Sequence, residues 1–391
     1  MPNTLLVGAI GGPNFGDEAI LRAWIDLIRQ RSPTAKIYCD GYNLQTLPAI
    51  LGGAASPVAP EQSLWRQSSK LDVTPENASW QRIARDYFSL PMLRESTASL
   101  AELAKLELDH IQLIGGGYVN HVWPRNYALL RLILKARRYL GVTAVMTGQG
   151  LTPTAKGFRR GIGDVFLDFD HVDVRDRQSR RLFGTQPIPN LSFSGDDALL
   201  YFSSALKPPI RWLNEKALVL CLQTDLFPGT KTATRILTPE LLRRCRALGI
   251  NKVVFAAAMK DDVTCPGAKC ARRLGEADIA IEIATPTDLL RDGFPLSREG
   301  LLITSRYHPH FFAALSGVCG VALCVNDYYA VKHMAVRAMG SRWPIVKQLS
   351  GFEAGPLIDQ ITAPGYAPHD ARLLDRQVKR KWAVADRVLS L

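Results

Sequence analysis

The chain has 391 residues and a formal net charge of +12, with 47% hydrophobic and 21% charged residues. That length suits two domains of roughly 100 to 200 residues each, and no stretch approaches the ~18 consecutive apolar residues of a membrane span. The excess of Lys and Arg points to an anionic substrate, a membrane face or a plain basic surface. It comes with no helix-turn-helix, finger spacing or aromatic-interleaved basic strand, so nucleic acid is not an expected partner.

The opening MPNTLLVGAIGG has neither a basic leader nor a small-residue cleavage site, which reads as a cytoplasmic protein. Seven scattered cysteines fit a reducing compartment. Cys265 and Cys270 form a lone C-x4-C pair with no His nearby, so no metal is expected.

Taken in chain order, short apolar runs alternate with helical patterns. The runs at 4–10, 36–42, 110–116, 143–150, 171–176 and 191–197 read as strands of a first α/β series. Helical periodicity lies between them, clearest from Ile20 to Ile28 and from Tyr127 to Tyr139. Residues 54–99, rich in Ser, Pro and Gln, read as a surface insertion. Pro208-Pro209 marks a break, after which 216–223, 251–258, 277–283, 300–305 and 320–326 form a second series. The expected organisation is therefore a domain over 1–206 and another over 207–391, both with parallel sheets. The last segment, with Leu374, Val378, Trp382 and Leu389 on one side, reads as a packing helix, and a membrane-surface helix is the alternative.

The turn GGPNFGDEAI follows the first strand. Gly11 and Gly16 have P-loop spacing, but Asp17-Glu18 replaces the Lys-Ser/Thr that would meet phosphates, and no G-x-G-x-x-G is present. Two readings stay open: Asn14 or Asp17 caps the helix, or the acids Asp17 and Glu18 receive sugar hydroxyls at the end of a parallel strand. Gly115, Gly116 and Gly117, followed by Asn120, either bring backbone close to a ligand or let two elements approach.

The stretch TSRYHPHFFAALSG places Ser305 at a strand end and Arg306 and His308 at a helix start, with Pro309 in the first turn. There a guanidinium can grip an anion and an imidazole can transfer a proton. Arg175-Asp176 at another strand end is a local charge pair, a cap or a second cation. Asp196-Asp197 follow at the next strand end, and Lys332 lies beyond Asp327 and Tyr328, either as a solvated lysine or as part of the same cationic set.

The ordered set NFGDEAIL, LIGGG, VDVRDRQS, SGDDALL, SRYHPHFFAALSGV and NDYYAVK, from about residue 5 to about 340, resembles the polysaccharide pyruvyl transferase family. The resemblance implies two Rossmann-like domains facing across a cleft, similar to GT-B glycosyltransferases. It also implies transfer of pyruvyl from phosphoenolpyruvate to a sugar of a polysaccharide or lipid-linked glycan as a ketal, with release of phosphate. No cofactor or metal is implied. The family's Arg-x-His element falls on Arg306 and His308 and its "VRD" arginine on Arg175, making these, with Lys332 and Ser305, the donor-side residues. His308 is the expected acid and Asp17 the expected acceptor-side base, with Asn14, Glu18, Gly115 to Gly117 and Asn120 on the acceptor side. Contact with the inner membrane face is an open alternative. Two other readings are a nucleotide-sugar glycosyltransferase and a non-catalytic subunit of an exopolysaccharide assembly complex.

Overall fold

The computed structural model describes residues 3–70, 90–154, 165–184, 188–225, 227–264, 266–324, 326–347 and 354–391. The chain forms two compact units, one of Met1–Gly12, Asp17–Leu206 and Gln377–Leu391, the other of Pro13–Gly16 and Lys207–Arg376.

The first unit is built on a seven-stranded sheet in the order β3-β2-β1-β4-β5-β6-β7. Its strands are β1 (Thr4–Val7), β2 (Ile37–Asp40), β3 (Ser56–Pro57), β4 (His110–Leu113), β5 (Thr143–Gln149), β6 (His171–Val174) and β7 (Leu191–Phe193). Every pairing is parallel. Parallel strands are covered on both faces, which is why TLLV and HIQL are buried at every position. The helix Tyr127–Leu140 supplies Leu129, Leu130, Leu132 and Ile133 to this core and stops at Gly141, a left-handed residue. Strand order reverses between β1 and β4, so the turns after these two strands flank the position where ligands of open α/β sheets bind.

The second unit repeats the plan. β9 (Ala217–Cys221), β10 (Lys252–Ala256), β11 (Ala280–Ala284), β13 (Leu301–Thr304), β14 (Cys319–Leu323) and β15 (Ile345–Val346) form a parallel sheet in the order β11-β10-β9-β13-β14-β15. A separate parallel pair joins β8 (Ile210–Leu213) to β12 (Phe294–Ser297). Here the order reverses between β9 and β13.

Two expectations change. The C-terminal helix Ala371–Val388 does not belong wholly with residues 207–376, since its part from Gln377 onward packs in the first unit. Its buried residues there include Val378, Lys381, Val384 and Ala385. The start of the 54–99 segment is no surface addition either: β3 pairs with β2, and Val58, Leu64 and Trp65 are buried in the first core. Ser63 caps the helix Leu64–Ser68 and donates to the buried Asp40 carboxylate at 2.6 Å, which fixes this stretch to the end of β2. Residues 71–89 of that segment lie outside the described residues.

Candidate functional site

In the second unit the switch point carries a compact charged cluster. Thr304 accepts the Arg306 N–H at 2.9 Å and donates to the Cys221 carbonyl at 2.8 Å, while the Ser305 hydroxyl accepts the Gln223 N–H at 3.0 Å. These bonds tie the ends of β9 and β13 together and turn the chain into the helix Tyr307–Leu315, whose N-cap is Arg306. Ser305 is fully buried and acts on this turn. The Arg306 guanidinium donates through Nε to Asp262 at 2.8 Å, and its Nη2 pairs with Asp262 and, at 3.3 Å, with Asp225. Burial opposes the Arg306 charge, but the two carboxylates outweigh it and hold the guanidinium above its usual range. Tyr329 also faces Arg306 and Asp225, and Lys332 lies over the rings of Tyr328 and Tyr329 at 4.2 and 5.2 Å.

The short segment Pro13–Gly16 belongs to this same unit. Asn14 accepts the Gly16 N–H at 3.2 Å, the capping role left open by the sequence. Phe15 donates its N–H to the Ala258 carbonyl at 2.9 Å and packs its ring on Phe294 and Phe312, 5.4 and 5.6 Å between centroids. Gly16 is required for a reason the spacing does not reveal: a Cβ there would stand 1.7 Å from Nδ1 of His308. The imidazole occupies the space that any other residue at 16 would fill. His308 is 8% exposed, next to a Tyr307 ring set edge-on at 4.8 Å.

The first unit holds the other residues. Glu18 is fully buried and its Oε1 accepts the Gly11 N–H at 2.7 Å, so it clasps the glycine turn. Burial raises its carboxyl to about 8. Asp17 is half-buried, its Oδ1 3.7 Å from where a Cβ on Gly116 would stand. Asn120 organises its own loop, donating to the Gly117 carbonyl at 2.7 Å and accepting the Val122 N–H at 2.8 Å. Arg175 is buried and pairs with Asp196 at 3.1 Å, while Asp176 caps the helix Arg177–Arg181.

Beside them lies a network that sequence reasoning missed. Lys381, from the C-terminal helix, is completely buried between Asp173 at 2.7 Å and Asp197 at 2.8 Å. Asp197 also accepts from Trp24 Nε1 at 2.8 Å, the Thr147 hydroxyl at 2.7 Å and the Gly115 N–H at 2.9 Å. Asp173 accepts from Ser192, from the backbone and side chain of Ser194 and from the Gly148 N–H. Gly148 adopts φ of +55°, and a Cβ on it would lie 2.5 Å from the Asp197 carboxylate. Burial opposes the Lys381 charge, but the flanking carboxylates prevail and hold the ammonium above its usual range. The signal available in the sequence was an Asp inside the strand HVDV. Lys381 itself reads as one of many solvated cations in QVKRKW.

The structure therefore brings Asn14, Ser305, Arg306, His308 and Lys332 into one unit and Asp17, Glu18, Gly115 to Gly117, Asn120 and Arg175 into the other. Among the described residues no group of three or more His, Cys, Asp or Glu side chains is placed to hold a metal ion, and no helix is long and apolar enough to cross a membrane. Cys265 lies outside the described residues.

Two doubly wound parallel units in one chain define a GT-B-like α/β protein, and comparison with solved structures agrees. UDP-GlcNAc 2-epimerase from Neisseria meningitidis, bound to UDP-GlcNAc, is similar with a TM-score of 0.53 at 13% identity, over 99% of each chain. Anabaena Alr3699/HepE in complex with UDP gives 0.51 at 9% identity over 100% of each chain. UDP-GlcNAc 2-epimerase from Methanocaldococcus jannaschii gives 0.50 at 11% identity over 98% of each chain. These likenesses define the fold. The family model for polysaccharide pyruvyl transferase matches residues 14–255, and the chain belongs to that family. No curated protein sequence matches it.

Proposed function

We propose that the protein moves the pyruvyl group of phosphoenolpyruvate onto hydroxyls of a sugar in a polysaccharide or lipid-linked glycan, forming a pyruvate ketal and releasing phosphate. The observation that supports it most is the Arg306 guanidinium, held by Asp262 at the switch point of its sheet, with the His308 imidazole two residues on in the space left by Gly16. Arg306 would take a carboxylate or phosphate of the donor, with Lys332 as a second cation of the same unit. His308 would protonate the methylene carbon of the donor, which makes the neighbouring carbon electrophilic. One sugar hydroxyl then attacks that carbon and gives its proton to a base, for which Asp17 is the proposed carboxylate. Phosphate leaves with its bonding electron pair, and a second hydroxyl adds to the same carbon to close the ketal, its proton returning to His308. The scheme needs no cofactor, and it places the enzyme in the cytoplasm, where phosphoenolpyruvate is available.

The test incubates the protein with phosphoenolpyruvate and lipid-linked or nitrophenyl hexosides and follows phosphate release together with a mass gain of one pyruvyl unit. His308→Ala should lower turnover by about 10²–10⁴-fold. Full turnover in that variant would remove His308 from the chemistry. A thermal shift with nucleotide sugars and none with phosphoenolpyruvate would favour a glycosyltransferase instead.

A further inference from the structure

Arg306 is held by two carboxylates of unlike character. Asp262 has a fully buried side chain whose Oδ2 also accepts the N–H groups of Ala258 at 2.9 Å and Met259 at 3.1 Å. Swinging it away would leave one buried and one half-buried amide without their acceptor, so it is a fixed orienting group. Asp225 makes one longer contact, Oδ1 to Nη2 at 3.3 Å, from the turn after β9, and its side chain is 35% exposed. Among the described residues Nη1 of Arg306 makes no hydrogen bond, while Nη2 is shared by both carboxylates.

A guanidinium grips a phosphate or carboxylate best through two parallel N–H groups. An anion arriving at the outer edge of Arg306 meets Nη1 open and Nη2 occupied, and Asp225 is the only one of the two carboxylates that can yield. We propose that Asp225 is a displaceable counter-ion that sets the affinity of Arg306 for the anionic donor. An oxygen of the donor takes the place of Asp225 on Nη2, and the Asp225 carboxylate turns into solvent. Before binding, the charges of Arg306, Asp225 and Asp262 sum to minus one. Displacement moves that surplus negative charge away from the incoming anion. A dianionic phosphate repays the displaced pair better than a monoanion does, so the device selects for charge as well as for shape. The inference rests on the donor reading above, and it concerns a residue to which that reading gives no role.

The experiment titrates the intact chain with phosphoenolpyruvate and, separately, with inorganic phosphate, by calorimetry. Asp225→Asn should bind both about threefold to tenfold more tightly than the natural chain, and Asp225→Glu, which keeps the charge, should show no such gain. Equal or weaker binding by Asp225→Asn overturns the proposal, and so does failure of that variant to bind either anion. Tighter phosphate binding by Asp225→Asn in a protein that never turns over phosphoenolpyruvate would uphold the counter-ion role and discard the transfer reaction. Normal turnover without any tightening would do the reverse.

Discussion

Each unit contains a cation set between two carboxylates, and the two sets are finished differently. In the first, Lys381, Asp173 and Asp197 all have fully buried side chains, and both carboxylates are further bonded to backbone amides, hydroxyls and an indole. In the second, Asp262 is as deeply buried, but Asp225 remains partly in water and, among the described residues, Nη1 of the guanidinium makes no hydrogen bond. A saturated buried ion set can only build, because any added ligand would have to break bonds that nothing replaces. A set with one wet limb retains capacity for exchange. On the proposed reading, the contrast separates a framework device from a binding device made of the same residue types.

The sharpest way to break that contrast is Lys381→Met. It removes one partner from a dry cluster and should cost roughly 3–5 kcal/mol of stability, read from urea or thermal unfolding. A loss under about 1 kcal/mol would mean that the network carries no framework role. Next in size is Gly16→Ala, whose new methyl must displace the His308 ring. Turnover should fall about hundredfold, while a misplaced ring leaves phosphate binding at Arg306 measurable by calorimetry. Arg306→Lys keeps the charge but loses the planar fork. KM for phosphoenolpyruvate should rise about tenfold, with an unfolding transition close to that of the natural chain, and the size of that rise sharpens the claim that geometry at the open edge matters. The smallest effect is a slope. Glu18 has its carboxyl raised from 4.5 to about 8, so its folded form holds a proton more tightly than its unfolded form. The stability it contributes is fully present below about 4.5 and is lost as pH rises through about 8, and Glu18→Gln should flatten that part of the stability profile.

Much of this was legible in the sequence, for physical reasons. Strands buried on both faces read as unbroken apolar runs, so β1, β9 and β13 stand out, as do the Pro-Pro break and the strand end carrying Arg306 and His308. The strands that escaped notice are short or atypical: β3 and β15 have two residues each, β12 contains Pro295, and β8 follows directly on the proline pair. Glu18 and Ser305 were read toward ligand, and the structure adds that each also holds backbone. Asp262, in MKDDVTC, looks like part of a solvated loop until its partner arrives from 44 residues away. Lys381 is the extreme case, because its basic neighbours hide it and its partners are distant. Periodicity reports which face of an element is dry, and it does not report which charge has been taken inside.

The return of Gln377–Leu391 to the first unit bears on how the chain is made. Asp173 and Lys381 are 208 residues apart, which at about 5–20 residues per second is a gap of roughly 10 to 40 s on the ribosome. Throughout that interval the strands of the first unit exist but its interior carboxylates have no ammonium to receive. They lack their buried partner until the helix carrying Lys381 emerges. The unit begun first is therefore complete only once Gln377–Leu391 has been made, and a nascent chain stalled before Lys381 should be a client for holding chaperones.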